Sequence, residues 1–397
     1  MEDAASPDEL INRLQARNLI VLNVILDSGK GASSDLKLGN QKHKGHFQHN
    51  RITNQDLVIL CRQLATMLGA AVPILKSLDT IAKQIPSHKL REIISDLIKR
   101  MEGGSTFHEA LAKHPKVFSE LWVNLVETGE ASGNLATVLE RLASYLERNA
   151  AFQKKIISAL IYPLILLGAS IGALLFMTIK IIPTFAELFK GFDMTMPFFT
   201  RVLIDISVFV RKYGVLALGV TIVGFLFILR PYLKTREGRR SLEKLEFSLP
   251  VFGEFYRAVV VERFATTMST LIESGVPILY ALEISEHSVG NLIMADIIRK
   301  IKEEVREGHT LNRSLGESGF FEPMVIQMLA VGEEVGDLTQ MLKRVTVFYQ
   351  DYVETFLTRL TSMFEPFMLL IMGGVIGAMV VGMFLPIFQI ATISGGK

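Results

Sequence analysis

His43, His46 and His49 recur at three-residue spacing, and a run of imidazoles is a metal ligand set in outline. They lie in the Gly-, Ser-, Lys- and His-rich stretch 28–50, with no acidic or thiol partner, and read as linker composition. Gly168-Ala-Ser-Ile-Gly172 spells the hydrolase pattern G-x-S-x-G, but that chemistry needs a strand–turn–helix elbow, and these residues interrupt nothing in a long apolar run. Gly396 and Lys397 lack the strand and helix of a phosphate loop, and no His-Glu-x-x-His occurs. The reading is therefore no catalytic residue, no cofactor, no metal and no enzyme. Glu365 is different in kind. It stands at the head of an apolar run, where a carboxylate either sits at the interface or is costly and faces protein or water. The most specific local signal is Gly-Glu-x-x-Gly-x-Leu, present at Gly129, Glu130, Gly133 and again at Gly332, Glu333, Gly336. Two glycines four apart are expected to interrupt helices, placing the glutamate in the turn before the next helix and against its positive N-terminus. The motif is either a structural turn or a corner that docks a partner.

The elements around these residues are membrane spans and helical bundles. Hydrophobic residues make up 49% of the 397, and the mean hydropathy is +0.35. Lys and Arg number 42 against 40 Asp and Glu, which disfavours a nucleic-acid binder. The single cysteine, Cys61, excludes a disulfide framework or a multi-cysteine zinc site. The acidic, polar start carries no signal-peptide pattern. Uncharged runs at Ile156–Ile179, Tyr213–Leu229 and Pro366–Gly396 predict three transmembrane helices, since a span takes about 20 residues. Arg141, Arg148, Lys154 and Lys155 precede the first, and Arg230, Lys234, Arg236, Arg239, Arg240 and Lys244 follow the second. These clusters predict a cytoplasmic N-terminus and a periplasmic C-terminus. Gly168 with Gly172, and Gly373 with Gly377, form G-x-x-x-G pairs that permit close helix packing in lipid.

An internal repeat organises the chain. Val72-Pro73-Ile74-Leu75 recurs as Val276-Pro277-Ile278-Leu279 at an offset of 204, and Gly104 and Leu111 recur as Gly308 and Leu315. One residue is lost before Phe118 and Phe321. At the offset of 203 that follows, the glutamate motif, Pro163 and Pro366, and Pro183 and Pro386 align. Apolar stripes at helical spacing, prolines at helix starts and Thr106 and Thr310 as N-caps make each copy a helical bundle. The fold class is all-α: an integral membrane protein with two homologous cytoplasmic helical bundles and three transmembrane helices. The expected segments are a partial N-terminal module over 1–27, with a helix and an extended piece at 19–26, and a flexible linker over 28–50. Bundle one follows over 51–155, then a first span over 156–182, a periplasmic loop over 183–212 and a second span over 213–229. Bundle two covers 230–358, and a third span with a short tail covers 359–393.

These blocks resemble the type II secretion system F family, the inner-membrane platform proteins of type II secretion and type IV pili. The resemblance rests on Arg62-Gln-Leu-Ala-Thr66 leading to Val72-Pro73-Ile74-Leu75, on Gly104-Ser-Thr-Phe107 with Glu109-Ala-Leu111, and on Gly129-Glu-Ala-Ser-Gly133-Asn-Leu135. Tyr162-Pro163 and Glu365-Pro366 complete it. It implies a non-enzymatic, oligomeric protein of the bacterial inner membrane that contacts a cytoplasmic assembly ATPase, pilin or pseudopilin subunits and other inner-membrane assembly proteins. The family's small-Gly-Val-Pro is kept by Ser274-Gly275-Val276-Pro277 but is Ala70-Ala71-Val72-Pro73 in copy one, and Arg62 has Thr266 as its counterpart. Relatives resemble cation binders beside the helix carrying Glu140. Ser144 replaces the second acid here, so no cation is carried over. Glu365 and Pro366 are candidates for pilin contact. The competing reading is a polytopic transporter or permease component, which three spans with one acid fit poorly.

Overall fold

A computed structural model describes residues 50–190, 198–214 and 235–394, with a few positions between 224 and 233. The stretch 1–49, including the three histidines, and nearly all of the span expected at 213–229 lie outside the described residues. Among the described residues the chain is helical, and no strand forms.

Copy one begins with α1 (Asn54–Gly69), opened by a capping box in which Thr53 and Asp56 exchange hydrogen bonds, the Thr53 N–H donating to the carboxylate at 2.8 Å. Pro73 sits immediately before α2 (Ile74–Gln84), where its missing N–H costs no helical bond. Ser87 caps α3 (His88–Glu102), and Thr106 with Glu109 forms a second capping box at α4 (Phe107–Ala112). Then come α5 (Glu120–Ala131) and α6 (Leu135–Phe176). Copy two repeats the series: α10 (Phe252–Glu273), α11 (Ile278–Ser288), α12 (Leu292–Arg306), α13 (Leu311–Glu317), α14 (Pro323–Val335) and α15 (Leu338–Ser394). Helix α12 starts and ends 204 positions after α3. Thr310 takes the N-cap backbone conformation, but its hydroxyl turns to Asn312 instead of the helix N–H groups.

The cores match residue by residue. Cys61, Leu64, Leu78, Ile94, Leu97 and Leu111 are buried in copy one, and Ala265, Met268, Leu282, Ile298, Ile301 and Leu315 are buried in copy two at the same offset. After the lost residue, Trp122, Val126, Leu139 and Leu142 correspond to Val325, Leu329, Leu342 and Val345, all buried. Burying a large aliphatic side chain contributes about 1.5–3 kcal/mol, so these stripes hold each bundle together.

Helices α6 and α15 run without a break from each bundle into the apolar segments, and both are long and apolar enough to cross a membrane. Pro163 lies inside α6 without ending it. A π-helical turn at Met177–Ile181 joins α6 to α7 (Ile182–Lys190). The stretch 183–212, expected as a loop, contains α7 and α8 (Phe198–Phe209). Two of its hydroxyls bond to neighbouring helices. Thr200 of α8 donates to the Gly382 carbonyl of α15 at 2.5 Å, and Ser207 donates to the Thr178 carbonyl. Helix α9 (Arg236–Ser248) leads into copy two and holds α12: the Glu243 carboxylate accepts from the Leu292 and Ile293 N–H groups at 2.7 and 3.2 Å.

Candidate functional site

The repeated glutamate motif resolves into three separate tasks. Gly129 and Gly332 lie within α5 and α14, not in the turns, because the following helix crosses too closely for a side chain. A Cβ on Gly129 would stand 3.1 Å from the Leu135 Cα, and one on Gly332 would stand 2.7 Å from Met341 Cγ. Only the second glycine ends the helix: Gly133 has φ +70° and Gly336 φ +78°, the left-handed region that glycine enters without steric cost. Glu130 and Glu333 sit in the last turns of α5 and α14 and reach a helix N-terminus, but not that of the next helix. Each closes back on the short helix before it. Glu130 accepts from the N–H groups of Phe107 at 2.8 Å and His108 at 3.0 Å, and its carboxylate meets His108 Nδ1 at 2.7 Å. Glu333 accepts from Leu311 at 2.9 Å and Asn312 at 3.1 Å. Orphan N–H groups and a positive helix end explain why a carboxylate is placed there in both copies. The backbone strain of the first repeat is also visible. Ala71 adopts φ +59° at the place where Gly275 adopts φ +86°.

The two copies differ at the junction of their first and last helices. In copy one the Arg62 guanidinium lies between two carboxylates of α6, bonded to Glu140 and, at 2.5 Å and 3.1 Å, to Glu147. In copy two the corresponding Thr266 donates to Glu262 at 3.1 Å, and Gln350 donates to the same oxygen at 2.7 Å. Glu262 is only 4% exposed, and burial raises its carboxyl pKa above the ordinary range. Periodicity placed neither cluster in advance. The only signal was the unlike pair Arg62 and Thr266 in an otherwise matched register.

The bundles touch through polar ties. Tyr280 donates to Asn124 Oδ1 at 2.6 Å, His287 Nδ1 meets Glu120 at 2.6 Å, and Tyr145 and Thr267 hydroxyls lie 3.4 Å apart. Arg141 donates to the Glu273 carbonyl, and Lys155 pairs with Glu354 at 2.8 Å across α6 and α15.

Glu365 and Pro366 lie exposed on α15, among exposed Met363, Phe367, Leu369 and Leu370. The copy-one counterpart, Tyr162, is also exposed. Gly168, Gly172, Gly373 and Gly377 are exposed too, and a Cβ at any of them would meet nothing within 4 Å. Among the described residues no helix uses these glycines for packing.

The family model for type II secretion system (T2SS), protein F matches this chain twice, over residues 60–183 and 264–386. The type IV pilus assembly protein PilC of Thermus thermophilus is 39% identical over 378 residues, covering 95% of this chain and 91% of the relative. PilC of Pseudomonas aeruginosa is 33% identical, covering 87% of this chain and 92% of its own. The type II secretion system protein F of the same organism is 34% identical over 87% of this chain and 85% of the relative.

Proposed function

Because the chain belongs to the type II secretion system protein F family, we propose that it is the inner-membrane platform that couples a cytoplasmic assembly ATPase to insertion of pilin or pseudopilin subunits into a growing fibre. The observation that carries this reading is the continuity of α6 and α15. Each bundle's last core helix is also a membrane-spanning helix, so a tilt imposed on the bundle is carried along one continuous helix into the apolar segment. The basic clusters before Ile156 and after Leu229 support a cytoplasmic location for both bundles, with the stretch 183–212 and the C-terminus periplasmic. A cytoplasm-specific reporter fused at Gly396 should be silent, and an active fusion there reverses the orientation.

The exposed Glu365 suits a transient contact with a subunit leaving the membrane. A carboxylate among lipid-facing apolar side chains gains most from a cationic partner, such as a pilin N-terminal amine, and the pair releases when the subunit moves away. The copy-one counterpart Tyr162 offers no carboxylate, so the copies play unequal roles. The glutamate turns at Glu130 and Glu333 remain candidate docking corners for the ATPase only on their solvent sides, since both carboxylates already cap helices.

The coupling is tested by inserting a flexible Gly-Ser segment between Lys155 and Ile156. The expected result is normal membrane insertion and normal bundle stability with fibre assembly abolished. Assembly at the unmodified level would show that no rigid connection through α6 is needed.

A further inference from the structure

Copy one carries a basic groove that copy two lacks. A cleft of about 620 Å³ is walled by Arg51 and Ile52 before α1, Lys89 and Glu92 of α3, and Lys113, His114 and Lys116 after α4. His114 is engaged with Asp96 at 2.8 Å. Arg51, Lys89, Lys113 and Lys116 are exposed, and among the described residues none of the four makes an ion pair. Glu92 is the only acid in the wall, so the groove holds a net excess of positive charge. Offset by 204, Lys89 becomes Ile293 and Lys113 becomes Glu317, so the charge belongs to copy one alone.

The height of the groove follows from helix pairing. Helix α10 packs antiparallel on α15: Thr266 meets Thr346 at 3.2 Å, and Glu262, one turn earlier, meets Gln350, one turn later. Copy one keeps this register, because Arg62 bonds Glu140 and Glu147 on either side of the matching level. Counting back along α1 from Arg62 places its first residue, Asn54, opposite about residue 151 of α6, since both helices rise about 1.5 Å per residue, and Arg51 precedes it toward the membrane end. Lys154 and Lys155 are exposed there, and the apolar run starts at Ile156. The Ser87 hydroxyl donates to the Arg51 carbonyl at 3.2 Å, which fixes the start of α3 and Lys89 at the same level.

We infer that this groove binds the headgroup of an anionic phospholipid of the membrane that α6 enters, seating this face of copy one on the bilayer. The occupant follows from charge and position together. Phosphates lie at the height where Lys154 and Arg51 stand, and unpaired basic side chains at that depth gain energy from them. The inference rests on the reading that α6 enters the membrane at Ile156. Failure of that reading shows separately, as release of the chain from membranes by alkaline carbonate.

The test uses the full chain in mild detergent, titrated with phosphatidylglycerol or phosphatidylcholine, with bound lipid counted by native mass spectrometry. Lys89→Glu with Lys113→Glu should weaken phosphatidylglycerol binding by at least about 30-fold at low salt, taking the usual contribution of a basic residue near a charged bilayer. Phosphatidylcholine binding should not change. The wild-type preference should fall as ionic strength rises and the screening length shortens. Lys76→Glu with Lys99→Glu, at the other end of the bundle, should leave both lipids unaffected, and matching thermal melts confirm that all variants are folded. Equal phosphatidylglycerol binding by wild type and the Lys89/Lys113 variant overturns the proposal. So does unchanged lipid preference with loss of an acidic protein partner, which would assign the groove to that partner.

Discussion

Replacing Glu130 separates a helix clamp from a docking charge. Its carboxylate accepts from two backbone N–H groups and contacts an imidazole, all within 2.7–3.0 Å, and its side chain is 24% exposed. Hydrogen bonds to a charged group contribute about 1.5–3 kcal/mol each, and the partial exposure argues for the lower end. Glu130→Ala should therefore destabilise copy one by about 3 kcal/mol, because short α4 is then held at its start only by the Thr106–Glu109 capping box. Glu130→Gln keeps one acceptor oxygen and loses the charge against the helix end, for about 1 kcal/mol. Glu333→Ala should cost about 2 kcal/mol, since Asn312 stands where His108 stands and adds no imidazole contact. The assay is denaturant unfolding of the detergent-solubilised chain, with the Glu130→Ala variant compared with Glu333→Ala. A change below about 0.5 kcal/mol in both, together with loss of partner binding, would refute the clamp and leave the glutamates as docking residues.

Ala71→Gly should stabilise the chain by about 0.5–1 kcal/mol, because Ala71 has a left-handed φ and its counterpart Gly275 shows what the position prefers; an unchanged or lower melting temperature contradicts this. Glu262 has a folded-state pKa raised by burial, so its contribution is fully present below the unfolded pKa and is lost as pH rises through the folded one. Glu262→Gln should then melt higher than wild type at pH 8, with the gap closing toward pH 4, and a pH-independent loss of stability would sink the argument. Glu365→Gln should impair fibre assembly with membrane insertion and protein level intact; near-normal assembly returns Glu365 to a plain interfacial role.

Much of the architecture was legible because it is written in local pattern and self-similarity. The Val-Pro-Ile-Leu pair, the offset of 204 and the one-residue loss before Phe118 and Phe321 fixed which helices correspond, and the buried cores obey that register. The destination of Glu130 was not legible. In sequence Glu130 lies next to the start of α6, whereas the helix it caps starts 23 residues back, and tertiary packing decides which it reaches. The G-x-x-x-G pairs had the right spacing for close packing, yet spacing does not say whether a neighbour is present. The helices expected as a loop after Pro183 escaped because short amphipathic pieces between two apolar runs give weak periodicity. Buried Glu262 was hidden for a different reason. Its partners Thr266 and Gln350 lie 4 and 88 positions away, and no motif links them.

In the proposed function the chain passes force from a cytoplasmic ATPase to a subunit held against its membrane helices. A photo-reactive residue at Phe367, exposed beside Glu365 and Pro366, tests this in cells. The expected result is a crosslink to a pilin-like subunit whose yield changes when the assembly ATPase is made unable to hydrolyse ATP. Normal fibre assembly with no subunit crosslink from this face, or a crosslink indifferent to the ATPase, would contradict it.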